Sequence, residues 1–345
     1  VNAGFNNPNW TINNQENKNS VERFLTNIQF DLNITDWLNI ISRTGIDYYQ
    51  SRTVQYYKPG TVGSTFGQGY FTDGIANNRV FNTDIIARSN FEIGDDIDLS
   101  VTLGANLNDR KYLRLGGDIR DFILPIDLQD FSNAQPENTN VDDFDRQMRT
   151  AATYFSGNIG LFDMLFLNSN VRVESSSTIG PNAESVFVYP SVDLAWQFSK
   201  LDLFVGSPIL TFGKLRLAYG EVGVEPPPYN TQSIYVSPNY SDSYGGSLST
   251  DLFGAGSFTP SQDLGDPNLR PEIKREYEVG TDIRFFDNKV KIGYSYYYNT
   301  TDDVFFNLSL ANSSGYDELF TNAGKIENKG MEVDFSYDII QNDDF

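Results

Sequence analysis

Residues 97–108 read Ile-Asp-Leu-Ser-Val-Thr-Leu-Gly-Ala-Asn-Leu-Asn, and apolar residues alternate with polar residues or glycine throughout. Ile97 and every second residue up to Leu107 are apolar, whereas Asp98 and every second residue up to Asn108 are polar or glycine. Successive side chains of a β-strand point to opposite faces of the sheet. The pattern therefore predicts a strand with one apolar face and one wet face.

The same alternation returns along the whole chain. It is clear at 24–32, 38–48, 97–108, 277–285, 290–310 and 331–339, and weaker at 81–93, 153–162, 165–175, 187–198 and 212–221. Within 290–310 the apolar residues keep to even positions, and a bend or bulge is predicted near Asp302-Asp303. These segments predict an all-β protein with eleven strands.

The predicted connections alternate between short and long. Short turns are predicted at 33–36, 94–96, 163–164 and 287–289, a medium connection at 199–211, and long polar loops at 50–80, 109–152, 176–186, 222–275 and 311–330. A soluble sandwich has no reason for this alternation, because its two ends face the same water. A transmembrane antiparallel β-barrel has one, since its periplasmic turns are short and its extracellular loops are long. Strands of about ten residues also fit a tilted membrane span.

Composition excludes several kinds of chemistry. The 345 residues carry 25 Lys and Arg against 46 Asp and Glu, a net charge of -21, with no Cys and no His. The chain therefore has no disulfide, no thiolate nucleophile and no Ser-His-Asp triad. The acidic excess argues against nucleic-acid binding, which needs cations to neutralise phosphates. No catalytic, cofactor or metal site is predicted, because paired acids such as Asp142-Asp143 lie in predicted loops without calcium-loop spacing.

The strand register assigns charged residues to the inside of a barrel. Arg or Lys on a lipid face costs about 2–4 kcal/mol at the bilayer midplane. The candidate lumen-facing charges are Arg43, Asp47, Arg88, Glu92, Arg172, Glu174, Lys214 and Arg216. The tyrosine groups 48–49, 56–57 and 294–298 are predicted to form an interfacial girdle.

The loop 222–275 is the best candidate for ligand contact. It begins with the stiff run Glu225-Pro226-Pro227-Pro228, after which tyrosines occur among Ser, Asn, Asp and Gly. The candidate ligand-contact or lid-contact residues are Tyr229, Tyr235, Tyr240 and Tyr244. Tyrosine rings and amide or carboxylate groups suit contact with a glycan, a peptide or a lid partner. The same composition also suits a loop that only folds on its neighbours. The loop 109–152 carries Arg110 and Arg114 before Glu137 and Asp145. Three alternatives stay open for it: a gating role, a partner-binding role, or neither.

Three stretches resemble a known family. They are Asp266-Pro267-Asn268-Leu269-Arg270-Pro271-Glu272, Ser314-Gly315-Tyr316, and Asn322-Ala323-Gly324-Lys325-Ile326-Glu327-Asn328-Lys329-Gly330-Met331-Glu332. Their residues and their order along the chain resemble the late barrel of SusC/RagA-type TonB-dependent outer-membrane transporters. Weaker likenesses at 7–10, 35–38, 189–192 and 212–216 extend the resemblance over nearly the whole chain.

The resemblance also implies an architecture, a cellular location, a function and partners. It implies a 22-stranded barrel in the outer membrane of a Gram-negative bacterium, of which residues 1–345 are the middle-to-late part. It also implies active import of oligosaccharides or peptides, with no enzymatic role, under a SusD-like surface lipoprotein. The family draws energy from the TonB complex through an N-terminal region, and that region, the plug domain and the closing strands are not found in this sequence.

The residues also indicate that the chain is part of a longer one. Eleven is odd whereas bacterial single-chain barrels have an even number of strands, Val1 is not an initiator Met, and 341–344 reads as a turn before Phe345. Two other hypotheses stay open at this point. The chain is part of a non-transporting outer-membrane adhesin or surface binding protein, or it is a soluble all-β carbohydrate-binding module.

Overall fold

The computed structural model describes residues 5–62, 67–236 and 258–339. Eleven long strands and three two-residue strands make up most of this part of the chain. The strands are β1 Gln15–Asn33, β2 Leu38–Tyr57, β3 Tyr70–Ile93, β4 Ile97–Arg120, β5 Thr139–Leu161, β6 Leu165–Ser176, β7 Phe187–Trp196, β8 Leu210–Val224, β9 Tyr235–Val236, β10 Thr259–Pro260, β11 Asp263–Leu264, β12 Glu272–Phe285, β13 Val290–Ser309 and β14 Glu318–Tyr337.

In the residues that the structure describes, helical structure is confined to short pieces. The α-helix α1, Pro8–Asn14, begins after Asn7, whose side chain accepts a hydrogen bond from the Asn9 N–H, and has Pro at its start. Single 3₁₀ turns occupy Phe131–Asn133, Pro136–Asn138, Phe198–Lys200 and Asn312–Ser314. Among the described residues, no helix has the length and apolarity needed to cross a membrane.

The long strands form one sheet in chain order from β1 to β8, followed by β12, β13 and β14. The registers resolved between β5 and β14 are antiparallel for each neighbouring pair of long strands. The eleven predicted strands are therefore confirmed, together with the short turns between them. The predicted bulge is also confirmed, since the β13–β14 register shifts between Asp302 and Val304, and Asp303 has φ 60°.

Three predicted long loops are wrong in their limits. The segments 50–80, 109–152 and 311–330 are largely strand, because β2 to β5 and β14 extend far beyond their apolar–polar stretches. Both faces of these extensions carry polar side chains, so the period-two signal on which the prediction relied is lost there. The connections at 177–186 and 225–271 stay close to their predicted bounds.

The described chain forms two compact units, and β1 to β5 contribute residues to both. Unit 1 comprises Val1–Phe30, Arg43–Thr83 and Leu107–Arg149, and unit 2 comprises Asp31–Ser42, Asp84–Asn106 and Thr150–Phe345.

Unit 1 contains a small aromatic core. Its buried members are Tyr56, Phe71, Ile119, Phe122 and Ala134. Tyr56 is 2% exposed and stacks on Phe122 with ring centroids 5.9 Å apart. Burial raises the pKa of the Tyr56 hydroxyl to about 12. The assignment of Tyr56 to an interfacial girdle is therefore wrong, because the chain segment around Phe122 covers its ring.

Unit 2 buries few large apolar side chains and exposes many. Leu103 is 56% exposed, Leu217 49% and Val333 66%. Such exposure along strands is unfavourable in water, at roughly 25 cal/mol for each Å² of apolar surface, and it is what a lipid-facing barrel wall presents.

Candidate functional site

Cross-strand rows give the sheet of unit 2 two chemically distinct faces. Residues directly opposite one another in antiparallel strands share a face. The polar row is Arg216, Gly280, Ser295 and Glu332, and the neighbouring apolar row is Leu217, Val279, Tyr296 and Met331. We call the side of the first row the polar face and the side of the second row the apolar face.

The apolar face has a charge-free band. It runs over 277–285 on β12 and 290–300 on β13, about ten residues on each strand, which matches a tilted membrane span. On β12 and β13, charges on this face begin with Arg275 and Asp302, at the ends of these two strands toward the long connections.

An ion-pair cluster surrounds Arg216 on the polar face. Arg216 lies 3.1 Å from Asp282 and 3.5 Å from Glu278, and its Nη2 donates to Ser295 Oγ at 3.2 Å. Gly280 makes room for it, since a Cβ there would lie 2.9 Å from Arg216 Nη2. The cluster is half-buried, and its charges partly compensate one another.

The other predicted lumen charges do not join this cluster. Arg172 pairs with Glu174 at 2.5 Å, in a row with Tyr154 and Tyr189. In the same unit, Arg88 and Glu92 are exposed, and Lys214 is opposite Asp282 in the register.

The remaining two predicted charges belong to unit 1. Asp47 accepts two hydrogen bonds from Arg23, at 2.9 and 2.6 Å. Arg43 is an odd-numbered residue of the same strand, four positions before Asp47, and so shares its face of β2. The structure therefore distributes the eight predicted charges along the strands and does not gather them into one site.

The candidate tyrosines are only partly placed. Tyr229 is 58% exposed with φ 70°, and Tyr235 is 72% exposed in β9, which pairs antiparallel with β10. Tyr240 and Tyr244 lie outside the described residues, as do the predicted turn at 341–344 and Phe345.

A clamp holds the end of the 225–271 connection against its neighbours. Leu269 is fully buried, and its carbonyl accepts from the Gly180 N–H at 2.7 Å. Arg270 donates to both carboxylate oxygens of Asp303, at 2.9 and 2.6 Å. The Asn322 side chain accepts from the Arg270 N–H and donates to the Arg270 and Asp303 carbonyls. The run Asp266 to Glu272 thus has a structural role that periodicity alone does not reveal.

The glycines of the 322–332 stretch serve close packing. A Cβ on Gly324 would lie 2.2 Å from the Phe306 ring, and one on Gly330 would lie 2.5 Å from the Tyr297 hydroxyl. Each glycine lets an aromatic ring of β13 lie across β14. The stretch is therefore strand, although its glycine and asparagine content is typical of a loop.

Sequence reasoning missed the charges that complete the Arg216 cluster. Glu278 and Asp282 are in the alternating pattern of β12, and only the register with β8 brings them to Arg216. In the part of the chain that the structure describes, no group of three or more acidic side chains is arranged to hold a metal ion.

Comparisons with known proteins agree with this architecture. The model of the family described as TonB dependent receptor-like, beta-barrel matches residues 1–344. TonB-dependent receptor P3 of Formosa agariphila is 29% identical over 179 residues, which are 50% of this chain and 16% of that receptor. TonB-dependent receptor SusC of Bacteroides thetaiotaomicron is 21% identical over 368 residues, which are 99% of this chain and 35% of SusC.

Solved structures show the same fold. The structure of the RagAB peptide transporter superposes with a TM-score of 0.79 at 20% identity, over 96% of this chain and 35% of that chain. The chain thus spans about a third of the length of SusC and of the RagAB chain that it matches. With a family match over nearly every residue and the strand order described above, the chain belongs to the TonB-dependent receptor β-barrel family.

Proposed function

We propose that the protein containing this chain is an outer-membrane importer of a Gram-negative bacterium, energised by TonB. The observation that carries the proposal is the two-faced sheet of a TonB-dependent receptor barrel, with a charge-free apolar band opposite a face bearing the Arg216 cluster. An apolar band of this height suits lipid, and a charged opposite face suits a wet lumen.

The proposed cargo is an oligosaccharide or a peptide. The RagAB peptide transporter supports a peptide, and the oligosaccharide alternative follows from the sequence resemblance to SusC/RagA-type transporters. We also propose a SusD-like lipoprotein lid, and contact with the TonB complex through sequence outside this chain. In this proposal residues 1–345 are part of a barrel domain whose plug domain and closing strands lie elsewhere.

The predicted site residues take their roles within this proposal. Arg43, Asp47, Arg88, Glu92, Arg172, Glu174, Lys214 and Arg216 line the lumen. The exposed Tyr229 and Tyr235 contact cargo or lid, together with Tyr240 and Tyr244. The family consists of receptors and transporters, and no enzymatic step is proposed.

The family assignment removes the hypothesis of a soluble carbohydrate-binding module. A non-transporting adhesin remains the competing function, since it would use the same membrane barrel. A plug domain and a TonB-contacting segment in the flanking sequence support import, and their absence there supports the adhesin.

Uptake by living cells tests the proposal. The gene is deleted in its native bacterium, and growth is compared on oligosaccharides and on peptides as sole nutrients, with and without an uncoupler that removes the energy supply. Loss of growth on one class, restored by the intact gene only in energised cells, is the expected result. Unchanged growth on both classes with retained surface adhesion contradicts import.

A matched pair of variants tests the loop tyrosines. Tyr229→Ala combined with Tyr235→Ala is compared with Tyr337→Ala, which removes an equally exposed ring at the opposite end of the strands. Reduced uptake at limiting nutrient in the first variant alone supports contact with cargo or lid. Equal uptake in both variants removes these two tyrosines from the site.

A further inference from the structure

Two arginines lie directly opposite one another where β4 and β5 continue beyond the apolar–polar stretch 97–108. The register of these strands follows from four cross-strand contacts, which join Asp109 to Gln147, Lys111 to Asp145, Tyr112 to Phe144 and Arg114 to Asp142. Residue numbers rise on β4 by the same steps by which they fall on β5, so Arg110 lies opposite Arg146. We call these two residues the arginine pair. Like charges directly opposite one another destabilise an antiparallel pair of strands.

The arginine pair is held by uncharged neighbours. Arg110 Nε donates to the side-chain oxygen of Asn108 at 2.8 Å. The Arg146 guanidinium lies over the Tyr112 ring, 5.1 Å from its centroid. Among the residues that the structure describes, neither arginine has an acidic partner. Asn108 and Tyr112 therefore orient the two guanidinium groups without neutralising them, and both arginines are exposed to a ligand.

The other cations of β4 and β5 are paired. Their ion pairs are Lys111 with Asp145 at 3.0 Å, Arg149 with Asp109 at 2.8 Å, Arg120 with Asp118 at 3.3 Å, and Arg114 with Asp142. Acidic residues are thus available to cations along these strands, and they are placed beside each cation except the arginine pair.

The arginine pair lies on the polar side of β4. Arg110 is an even-numbered residue like Asn108, whose side chain donates to Asn82 on β3 at 3.2 Å. Lys111 lies on the opposite face. The polar side of a transmembrane barrel strand lines the lumen. In the proposed importer the pair therefore faces the lumen just beyond the stretch 97–108, where a solute from outside passes before it reaches the membrane-spanning part.

Two facing guanidinium groups suit a carboxylate. Each guanidinium presents parallel N–H donors that match the two oxygens of a carboxylate. The chain carries a net charge of -21, which repels anions, so two uncompensated cations create a local region of positive potential. Carboxylates occur in both classes of cargo proposed above, in the uronic acid units of oligosaccharides and in peptides.

We propose that the arginine pair binds a carboxylate group of the cargo on its way into the lumen. Arg110 and Arg146 each donate to the carboxylate, while Asn108 and Tyr112 keep the two guanidinium groups in place. The inference rests on the proposed import function and adds a chemical feature of its cargo, an acidic group.

Titration of the purified full-length receptor in detergent with two matched pairs of probes tests this site. One pair is trigalacturonate and its methyl ester, and the other is tri-glutamate and tri-glutamine. In at least one pair the acidic probe is expected to bind more tightly than its neutral partner in isothermal titration calorimetry. Arg110→Gln combined with Arg146→Gln should remove this preference, with a loss of about tenfold in affinity for each arginine. The pair of probes that shows the preference identifies the carboxylate as that of a sugar or of a peptide.

Two control variants separate the site from a general effect of charge. Lys111→Gln removes the same charge from the next residue, on the opposite face, and should leave the affinity for the acidic probe unchanged at about 0.15 M salt. Arg110→Lys keeps the charge without the planar fork and should weaken binding less than Arg110→Gln. Heat-modifiable mobility on a gel shows that each variant folds. Equal affinity for acidic and neutral probes in both pairs, or equal losses in Lys111→Gln and the double variant, overturns the site.

An acidic group of the proposed lid lipoprotein is the competing ligand. If the double variant no longer co-purifies with the lid but keeps its affinity for the acidic probe, the arginine pair binds the lid and the cargo site is overturned.

Uptake separates this inference from the proposed function. If cells import a nutrient normally while the receptor shows no preference for acidic probes, only the carboxylate site fails. If the receptor shows a preference that depends on the arginine pair while it imports nothing, only the import proposal fails.

Discussion

The two halves of β4 follow one strand but meet different surroundings. In the inner half, 97–107, apolar side chains on one face are exposed, with Leu103 at 56%, and polar residues occupy the other face. In the outer half, 108–120, Lys111 pairs with Asp145 at 3.0 Å and Arg114 pairs with Asp142. Alternation of apolar and polar residues therefore indicates that the two faces of a strand meet different solvents. It does not indicate strand structure as such.

The two halves are therefore stabilised differently. The inner half depends on a hydrocarbon layer against its apolar face. The outer half depends on ion pairs and on the aromatic core around Phe71 and Tyr56 in unit 1. Surface ion pairs contribute little each, about 0–1 kcal/mol, so the aromatic core is expected to dominate there.

Truncation of the aromatic core is expected to have the largest effect. Phe71 is 4% exposed and contacts Phe131 with ring centroids 5.3 Å apart. Phe71→Ala should cost about 3–5 kcal/mol of local stability. Limited proteolysis within 121–138 should accelerate, while membrane assembly of the barrel persists. Phe144→Ala, at a ring 41% exposed, serves as the control, and equal proteolysis of the two variants would count against the core.

A charge on the apolar face of the inner half is expected to have the next largest effect. Leu103→Arg should cost about 2–4 kcal/mol at the bilayer midplane and hinder membrane assembly. Thr102→Arg places the same charge one residue away on the polar face and should be tolerated. Heat-modifiable mobility of outer-membrane fractions measures assembly, and equal defects in the two variants would break the assignment of faces.

The loop clamp is expected to contribute less. Asn322→Ala removes one accepted and two donated hydrogen bonds around Arg270 and Asp303, and leaves backbone groups unpaired at about 1–3 kcal/mol. Hydrogen exchange at the Arg270 amide, which loses its acceptor, should then become faster. Asn328→Ala, further along the same strand, should leave this exchange rate unchanged, so a similar rise there would argue against a clamp.

The smallest effect is expected from the outer half of β4. Leu115 is an odd-numbered residue of β4 like Leu103 and is 53% exposed. Because water replaces lipid at this level, Leu115→Arg should change stability by at most about 0.5–1 kcal/mol. Leu115→Arg is measured in the same assembly assay as Leu103→Arg, so that the two halves of β4 are compared directly. A defect as large as that of Leu103→Arg would place the membrane boundary further out.

The strands that sequence reasoning located are those with unlike faces. Leu99, Val101 and Leu103 alternate with polar residues, so β4 could be found, whereas its continuation through Lys111 and Arg114 could not. The 318–330 part of β14 was missed for another reason. Gly324 and Gly330 are typical of loops, and the rings that require them belong to a different strand.

The candidate site was less predictable than the strands. Arg216 could be assigned to a face from parity, but its partners Glu278 and Asp282 depend on a register across the 225–271 connection. The clamp likewise joins Arg270 to Asp303 and Asn322, which lie far apart in sequence. Contacts of this kind follow from topology, and no local pattern encodes them.

The register irregularity at Asp303 also determines how codon deletions would affect the β13–β14 pairing. Asp302 pairs with Lys325 and Phe305 pairs with Asn322, so the register skips Asp303 on β13 and Ala323 on β14, and the two omissions offset each other. Deletion of either codon alone would shift the rest of the hairpin by one residue. Deletion of both would restore the β13–β14 pairing, although the Asp303 carboxylate that holds Arg270 would still be lost.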